Sequence, residues 1–278
     1  SNNVYTSWST ISGGTSSYIY SAYSTVRGGH NHYIYGYSAT VGGGMYNSVY
    51  SSYAFVGGGW YSNAMSTGSS TGGGHDCWAS GTYTHTGGGA YNYAQGGHST
   101  IGGGANNGAY DSHTTVGGGQ SSYVYADYGV IAGGHNNYAY AYTSTVAGGM
   151  YCSSYGSWST VSGGYANRVF NTWGTISGGY VNWNYSYQGT VGGGYNSGIY
   201  APHDTIGGGA YNYVYAYGAT ILGGYGTSAY GYISATGGGQ YTRSMGEETT
   251  VGGGHYNWAS SDWATVSGGQ YNYCAGYH

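Results

Sequence analysis

The sequence is nearly empty of charge. Of 278 residues, three are basic, all of them arginine, and seven are acidic. A globular domain is about a quarter charged, and nucleic acid requires a basic footprint to neutralise phosphates. Three arginines supply none, so nucleic acid is excluded as a partner class. Leucine occurs once, at Leu222, and proline once, at Pro202. With leucine, lysine, glutamate and methionine this scarce, helical and α/β classes are excluded as well. A disordered, solvated tail carries charge and few aromatics, the reverse of this composition. No run of about 20 apolar residues exists, so no membrane span is expected. The chain does not open on Met, and no basic segment leads into an apolar one, which reads as a processed chain or a fragment. A net charge of −4 leaves little repulsion to keep copies apart.

What the chain has instead is glycine (62 residues) and tyrosine (41), and both are ordered. A Gly-Gly pair stands at Gly13-Gly14 and recurs every 15 residues, without a slip, to Gly268-Gly269. Such a period marks a solenoid in which each unit can bury its face only against its neighbours. Numbering a unit from the first glycine of the pair as column 1, the consensus is Gly-Gly-x-Tyr-Asn-Tyr-Ala-Tyr-Gly-x-x-Ser-Thr-Val-Gly. Column 14 is Val or Ile in 15 of 18 units, and column 13 is Thr in 13 of 18. Columns 6 to 9 and 12 to 15 alternate with period two, the strand signature. Glycine suits the corners because it accepts positive φ, and the Asn of column 5 suits a left-handed corner residue.

The expected fold is therefore all-β: a single continuous parallel β-solenoid over residues 1–278, with about 18 coils and two short strands per coil. Strand spacing gives a rod of roughly 85–90 Å. Columns 7, 9, 12 and 14 are expected to face inward, leaving about two aliphatic side chains per coil. Stacked identical columns and backbone ladders must then carry much of the cohesion, with the asparagines forming a corner ladder of amide hydrogen bonds.

Units such as Tyr23-Ser24-Thr25-Val26-Arg27-Gly28-Gly29 and Ala219-Thr220-Ile221-Leu222-Gly223-Gly224-Tyr225 resemble the YadA-like head repeat of trimeric autotransporter adhesins and related bacterial surface and fibre proteins. The resemblance runs the length of the chain through the Gly-Gly, Asn, Ala and Ser-Thr-Val columns. It implies a left-handed β-roll, a cell-surface location and frequent trimerisation. The family's unit has Ser or Gly after its Ala, where this chain has Tyr20, Tyr35, Tyr110 and Tyr125.

Column 8 is the strongest candidate surface. Tyr110, Tyr125, Tyr140, Tyr155, Phe170, Tyr185, Tyr200, Tyr215 and Tyr230 follow without a gap, and column 6 adds Tyr123, Tyr138, Trp183 and Tyr213 on the same outward face. An exposed aromatic patch of that size marks an interface. A second row, Thr145, Thr160, Thr175, Thr190, Thr205 and Thr220, resembles the Thr arrays of ice-binding faces. It is one residue wide and flanked in column 11 by Trp158, Trp173 and His203. Histidines gather in column 3 (His30, His75, His135, His255) and column 11 (His98, His113, His203, His278). Only His98 and His113 fall on adjacent coils, with Asp111 near them, and solvated corner residues are the better reading than a metal site. The aspartates do not recur with the unit, as a calcium-binding repeat requires, and without lysine no glycine run is a P-loop. Cys77 and Cys152 share column 5 but lie five coils apart, some 24 Å by strand spacing, with Cys274 eight coils further on, so no intramolecular disulfide is expected.

These readings point to a non-enzymatic, extracellular structural protein without cofactor. Its partner is itself, through Tyr stripes and open solenoid ends, in filaments or a surface layer. The alternatives are an adhesin head, trimeric as the resemblance implies, that contacts surface polymers or glycans, and ice binding through the Thr row.

Overall fold

The computed structural model describes residues 1–276; His278 of column 11 lies outside them. Contacts divide the chain into two compact units, residues 1–139 and 140–278. Each is a parallel β-solenoid with 15 residues per coil, and together they hold about 18 coils. Every strand is two residues long, and no helix occurs among the described residues. In the first unit Tyr18–Ile19 pairs in register with Tyr33–Ile34, and Thr25–Val26 with Thr40–Val41. In the second, Gly198–Ile199 pairs with Tyr213–Val214, and Thr160–Val161 with Thr175–Ile176. The ladders thus occupy columns 6–7 and 13–14. A third, one residue wide, runs up column 3, as between Trp60 and His75 or Tyr165 and Tyr180.

The strands are shorter than the alternation suggested because the chain turns early. Columns 9 to 11 form a bend, and its last residue is left-handed: Tyr53 has φ 59° and Trp158 φ 51°. Column 4 is left-handed as well, as in Tyr61 (φ 57°) and Asn136 (φ 54°). The left-handed position expected at column 5 is therefore one residue earlier. Such a conformation costs a non-glycine residue about 1 kcal/mol or more. Here it reverses the peptide. The N–H groups of columns 3, 6, 8, 13 and 15 donate to the coil above, as Tyr185 N does to Ile199 O at 2.9 Å. Those of columns 4 and 11 donate to the coil below, as Tyr211 N does to Tyr195 O at 2.9 Å. The strained residues thus gain a ladder bond in exchange. The second glycine of each pair is irreplaceable for a simpler reason. Gly179 has φ 93°, and a Cβ there would fall on the carbonyl of Gly194.

Columns 7, 12 and 14 face inward as expected. Ile19, Val26, Ile34, Val41, Ile176, Ile199, Ile206 and Val214 are fully buried. Column 9 departs from expectation: it sits in the bend, where Gly36 and Gly156 are buried but Asp111 and Asn171 are exposed. Column 5 departs in the other direction. It lies not on a corner but inside, and Asn47, Asn92, Asn107, Asn167, Asn182 and Asn212 are at most 1% exposed.

The buried asparagines have work there that an aliphatic residue cannot do. Asn182 Nδ2 donates to Gly178 O and Gly194 O, both at 3.0 Å, and its Oδ1 accepts the Ser197 N–H at 2.9 Å. Its own N–H is taken by Asn167 Oδ1 at 2.9 Å. The column-5 peptide donor points at the coil below, where a side-chain oxygen receives it. Serine does the receiving at Ser197, which accepts from Asn212 N at 3.2 Å, and His32 Nδ1 accepts from Asn47 N at 3.3 Å. His32 is then protonated on Nε2, which is buried with no partner, and burial pushes its pKa down, so it is neutral. The ladder therefore joins side chain to backbone rather than amide to amide.

Asn182→Ala leaves the Ser197 N–H and the Gly178 carbonyl buried without this partner. A loss of about 2–4 kcal/mol is expected, read as a lower denaturant midpoint. Asn182→Ser keeps the acceptor and is expected to lose less than half of that.

Candidate functional site

The column-8 rings stack coil on coil. In residues 140–278 the row Tyr140, Tyr155, Phe170, Tyr185, Tyr200, Tyr215, Tyr230 has no break. Its ring centroids are 4.7, 5.2, 4.3, 5.3, 5.0 and 4.8 Å apart, with interplanar angles of 2 to 13°. In residues 1–139, Tyr110 and Tyr125 stack at 5.1 Å, and Tyr5, Tyr20, Tyr35 and Tyr50 form a second run at 5.1, 4.9 and 5.5 Å. The cause is local: a two-residue strand ends just before column 8, and its ladder sets each ring one strand spacing from the next, close to the separation at which aromatic faces pack. Column 6 lies alongside, with Tyr123 6.2 Å from Tyr125 and Tyr213 6.3 Å from Tyr215. The six tyrosines of the longer row remain 38 to 45% exposed. Because neighbours cover the ring faces, the surface shown to solvent is made of ring edges and phenolic hydroxyls.

Aromatic rows in columns 3 and 4 escaped the sequence reading, and column 11, read there only as a flank of the Thr row, stacks as well. Tyr165, Tyr180 and Tyr195 stack at 4.8 and 5.1 Å in column 3. Tyr241, Tyr256 and Tyr271 do so at 5.0 and 5.4 Å in column 4, and Trp158 and Trp173 at 5.5 Å in column 11. Their signal was the 15-residue recurrence of rings in columns 3, 4 and 11, but nothing in the pattern showed the one-residue ladder of column 3 or that the left-handed residues of columns 4 and 11 bring their rings into register. One of the few cations joins an aromatic row, with the Arg243 guanidinium 4.9 Å from the Trp258 ring.

The six threonines pair in register, Thr145 with Thr160, Thr160 with Thr175, Thr175 with Thr190, Thr190 with Thr205 and Thr205 with Thr220. The row is one residue wide because the second residue of each strand is buried. Thr190 is exposed and the others are half-buried. His98 and His113 are also brought together, but as stacked rings 5.0 Å apart with planes 13° from parallel, which does not aim two nitrogens at one point. Among the described residues no three His, Cys, Asp or Glu side chains gather as a metal site would need. Cys77 and Cys152 occupy buried column-5 positions, their thiols near the carbonyls of Gly89 (3.5 Å) and Gly164 (3.6 Å). Burial raises both pKa values and keeps them as thiols. Cys274 is half-buried.

No family model matches this chain. Comparison with curated proteins found no match either. The chemistry of the surface therefore has to be argued from its own groups.

Two sets of titrating groups carry consequences. Burial raises the phenol pKa values of Tyr110, Tyr125, Tyr200, Tyr213 and Tyr215, and neighbouring phenols raise those of Tyr110, Tyr125, Tyr200 and Tyr215 further. The second is Asp204, the single departure from small residues in column 12. It is fully buried, its Oδ2 accepting from Ala201 N at 3.0 Å and its Oδ1 from Ala219 N at 3.1 Å. Burial outweighs these bonds and lifts its pKa to about 7.

Both shifts favour the neutral form in the folded state, so both make stability fall as pH rises. For the tyrosines the contribution is whole below the ordinary phenol value of about 10 and is lost above it. An ultraviolet titration is expected to show a class of tyrosines ionising late, with circular dichroism changing in the same range. A single transition near the ordinary value with the fold intact would contradict the stack. For Asp204 the loss runs between about pH 4 and pH 7 and is on the order of 4 kcal/mol. Asp204→Ser is expected to flatten the dependence of melting temperature on pH across that window, and unchanged slopes would refute the assignment.

Proposed function

We propose that this is a structural, extracellular protein that assembles with copies of itself into filaments or a surface layer. The observation that carries the reading is the row of seven stacked rings from Tyr140 to Tyr230, of which the six tyrosines stay exposed. Exposed aromatic area of this extent is what interfaces are made of. The near absence of charge removes the repulsion that keeps soluble proteins dispersed. Carbohydrates are gripped by open aromatic faces, and in these rows the neighbours occupy the faces, which favours a protein surface with a matching row over a glycan.

Coil-to-coil pairing of copies belongs to the same reading. The backbone donors and acceptors of the ladders recur from coil to coil, so a coil of one copy can pair with a coil of another. The likeness to YadA-like head repeats adds an extracellular location to the proposal. Its support is the shared Gly-Gly, Asn and Ser-Thr-Val columns together with the parallel coil.

The test is electron microscopy and mass measurement of the chain at neutral pH over a range of concentrations. Filaments or sheets are expected, with a broad size distribution. The triple variant Tyr185→Ser, Tyr200→Ser, Tyr215→Ser is expected to stay folded by circular dichroism and to raise the concentration needed for assembly at least tenfold. A discrete trimer would favour an adhesin head instead. Dispersed single molecules at high concentration would sink the proposal, and thermal hysteresis in that sample would turn attention to the Thr row.

A further inference from the structure

Two properties of the column-8 row are unusual in combination: each phenol is exposed, and each has another phenol held face to face by the backbone. Tyr185, Tyr200, Tyr215 and Tyr230 form three consecutive steps at 5.3, 5.0 and 4.8 Å, and Tyr140 and Tyr155 form a separate pair at 4.7 Å. Ladder bonds beside the rings, Tyr185 N to Ile199 O at 2.9 Å, Tyr200 N to Val214 O at 3.0 Å and Tyr215 N to Ala229 O at 2.9 Å, stop the coils from drifting apart. Between the two groups stands Phe170, stacked on both neighbours at 5.2 and 4.3 Å but without a phenol.

We propose that this row is a site of oxidative cross-linking, at which a peroxidase-class oxidant using hydrogen peroxide joins tyrosines of successive coils as dityrosine. Each phenol gives up one electron and its hydroxyl proton, leaving a phenoxyl radical. Two radicals on adjacent coils form a carbon–carbon bond between ring positions ortho to the oxygens. The two ortho hydrogens then shift to oxygen and restore both phenols. One hydrogen peroxide takes up the two electrons and two protons and leaves as two waters, so each link costs the chain two hydrogen atoms. The rings need only tilt edge to edge on their exposed side, while the backbone pairing stays as it is. A neighbour tethered this close presents an effective concentration of mM or more, far above that of a second chain in dilute solution. Links should therefore form within the chain at a separation of 15 residues, stapling coil to coil. Phe170 has no hydroxyl hydrogen to lose and interrupts the series, so Tyr155 and Tyr185, two steps apart, remain unlinked.

The inference concerns neighbours within one chain and does not rest on the assembly reading. The experiment treats the full chain, dilute and shown to be dispersed, with horseradish peroxidase and hydrogen peroxide, and maps the cross-linked peptides by mass spectrometry after digestion. The expected products keep the monomer mass less two hydrogens per link and join Tyr140 to Tyr155, Tyr185 to Tyr200, Tyr200 to Tyr215 or Tyr215 to Tyr230. Phe170→Tyr is expected to add links from residue 170 to Tyr155 or Tyr185. Tyr200→Phe with Tyr230→Phe is expected to abolish those at Tyr215. Absence of dityrosine, links chiefly between chains, or links scattered over tyrosines outside stacked rows would overturn the proposal. So would a Phe170→Tyr protein, folded by circular dichroism, whose link map is unchanged.

Discussion

The fold depends on a hydrogen bond that runs from the inside of one coil to the backbone of the next. A coil with two buried aliphatic side chains has little apolar surface to hold it, and the first glycine of each corner, as Gly178, turns inward a carbonyl that receives its bond from the column-5 amide. Column 5 resolves both difficulties. Asn167, Asn182, Ser197 and Asn212 form a relay in which each accepts the N–H of the column-5 residue above, ending at Thr227, while the Asn amides also donate to glycine carbonyls of two coils. Every buried polar atom of such an asparagine is used. This matters because an unmade bond in a dry interior costs more than a made one gains. Two threonines elsewhere in the core follow the same rule: Thr71 and Thr86 replace Val in column 14 and donate to Asn63 O and Trp78 O at 3.0 and 3.1 Å.

The same accounting of backbone donors explains the corners. A left-handed residue at columns 4 and 11 turns its N–H toward the coil below, while its neighbours in the ladders point up. Each coil is thereby bonded in both directions, and the strain of positive φ on Tyr, Trp and His is offset by a bond and by ring stacking. Tyr46 on Tyr61 at 4.9 Å and His113 on Tyr128 at 4.8 Å are corner residues of this kind. Aromatic side chains in left-handed positions would be anomalous singly. Repeated at strand spacing, they become continuous rows.

Those rows give the surface its character. It is aromatic and hydroxylated but hardly charged, and its rings present edges rather than faces. Such a surface suits contact with a like surface. It also places phenols one strand spacing apart in a scaffold that holds them there, which ties the chemistry of the surface to the period of the fold. Asp204 and His32 show how narrowly the interior is specified. Where the consensus Ser or Asn is replaced by a titratable group, the side chain still accepts the backbone N–H of the coil above, Ala219 N at Asp204 and Asn47 N at His32, and burial disfavours its charged form.

The period, the parallel pairing, the inward columns 7, 12 and 14 and the outward rings of column 8 were legible in the chain itself, because an unbroken 15-residue recurrence forces equivalent residues to lie above one another. Gly-Gly pairs and Val or Ile in column 14 carry that information by residue type alone. The placement of column 5 was not legible. Asparagine is as suitable for an exposed corner as for a buried cap, and only the position of the Gly178 and Gly194 carbonyls decides that Asn182 turns inward. Nor could composition show that Tyr53 or Trp158 would adopt positive φ, since that choice is made by where a peptide finds its acceptor in the coil below. The sequence by itself determined which residues repeat and therefore stack. The tertiary structure decided which way each one faces, because direction depends on hydrogen-bond partners 14 to 16 residues away that exist only once the coils are closed.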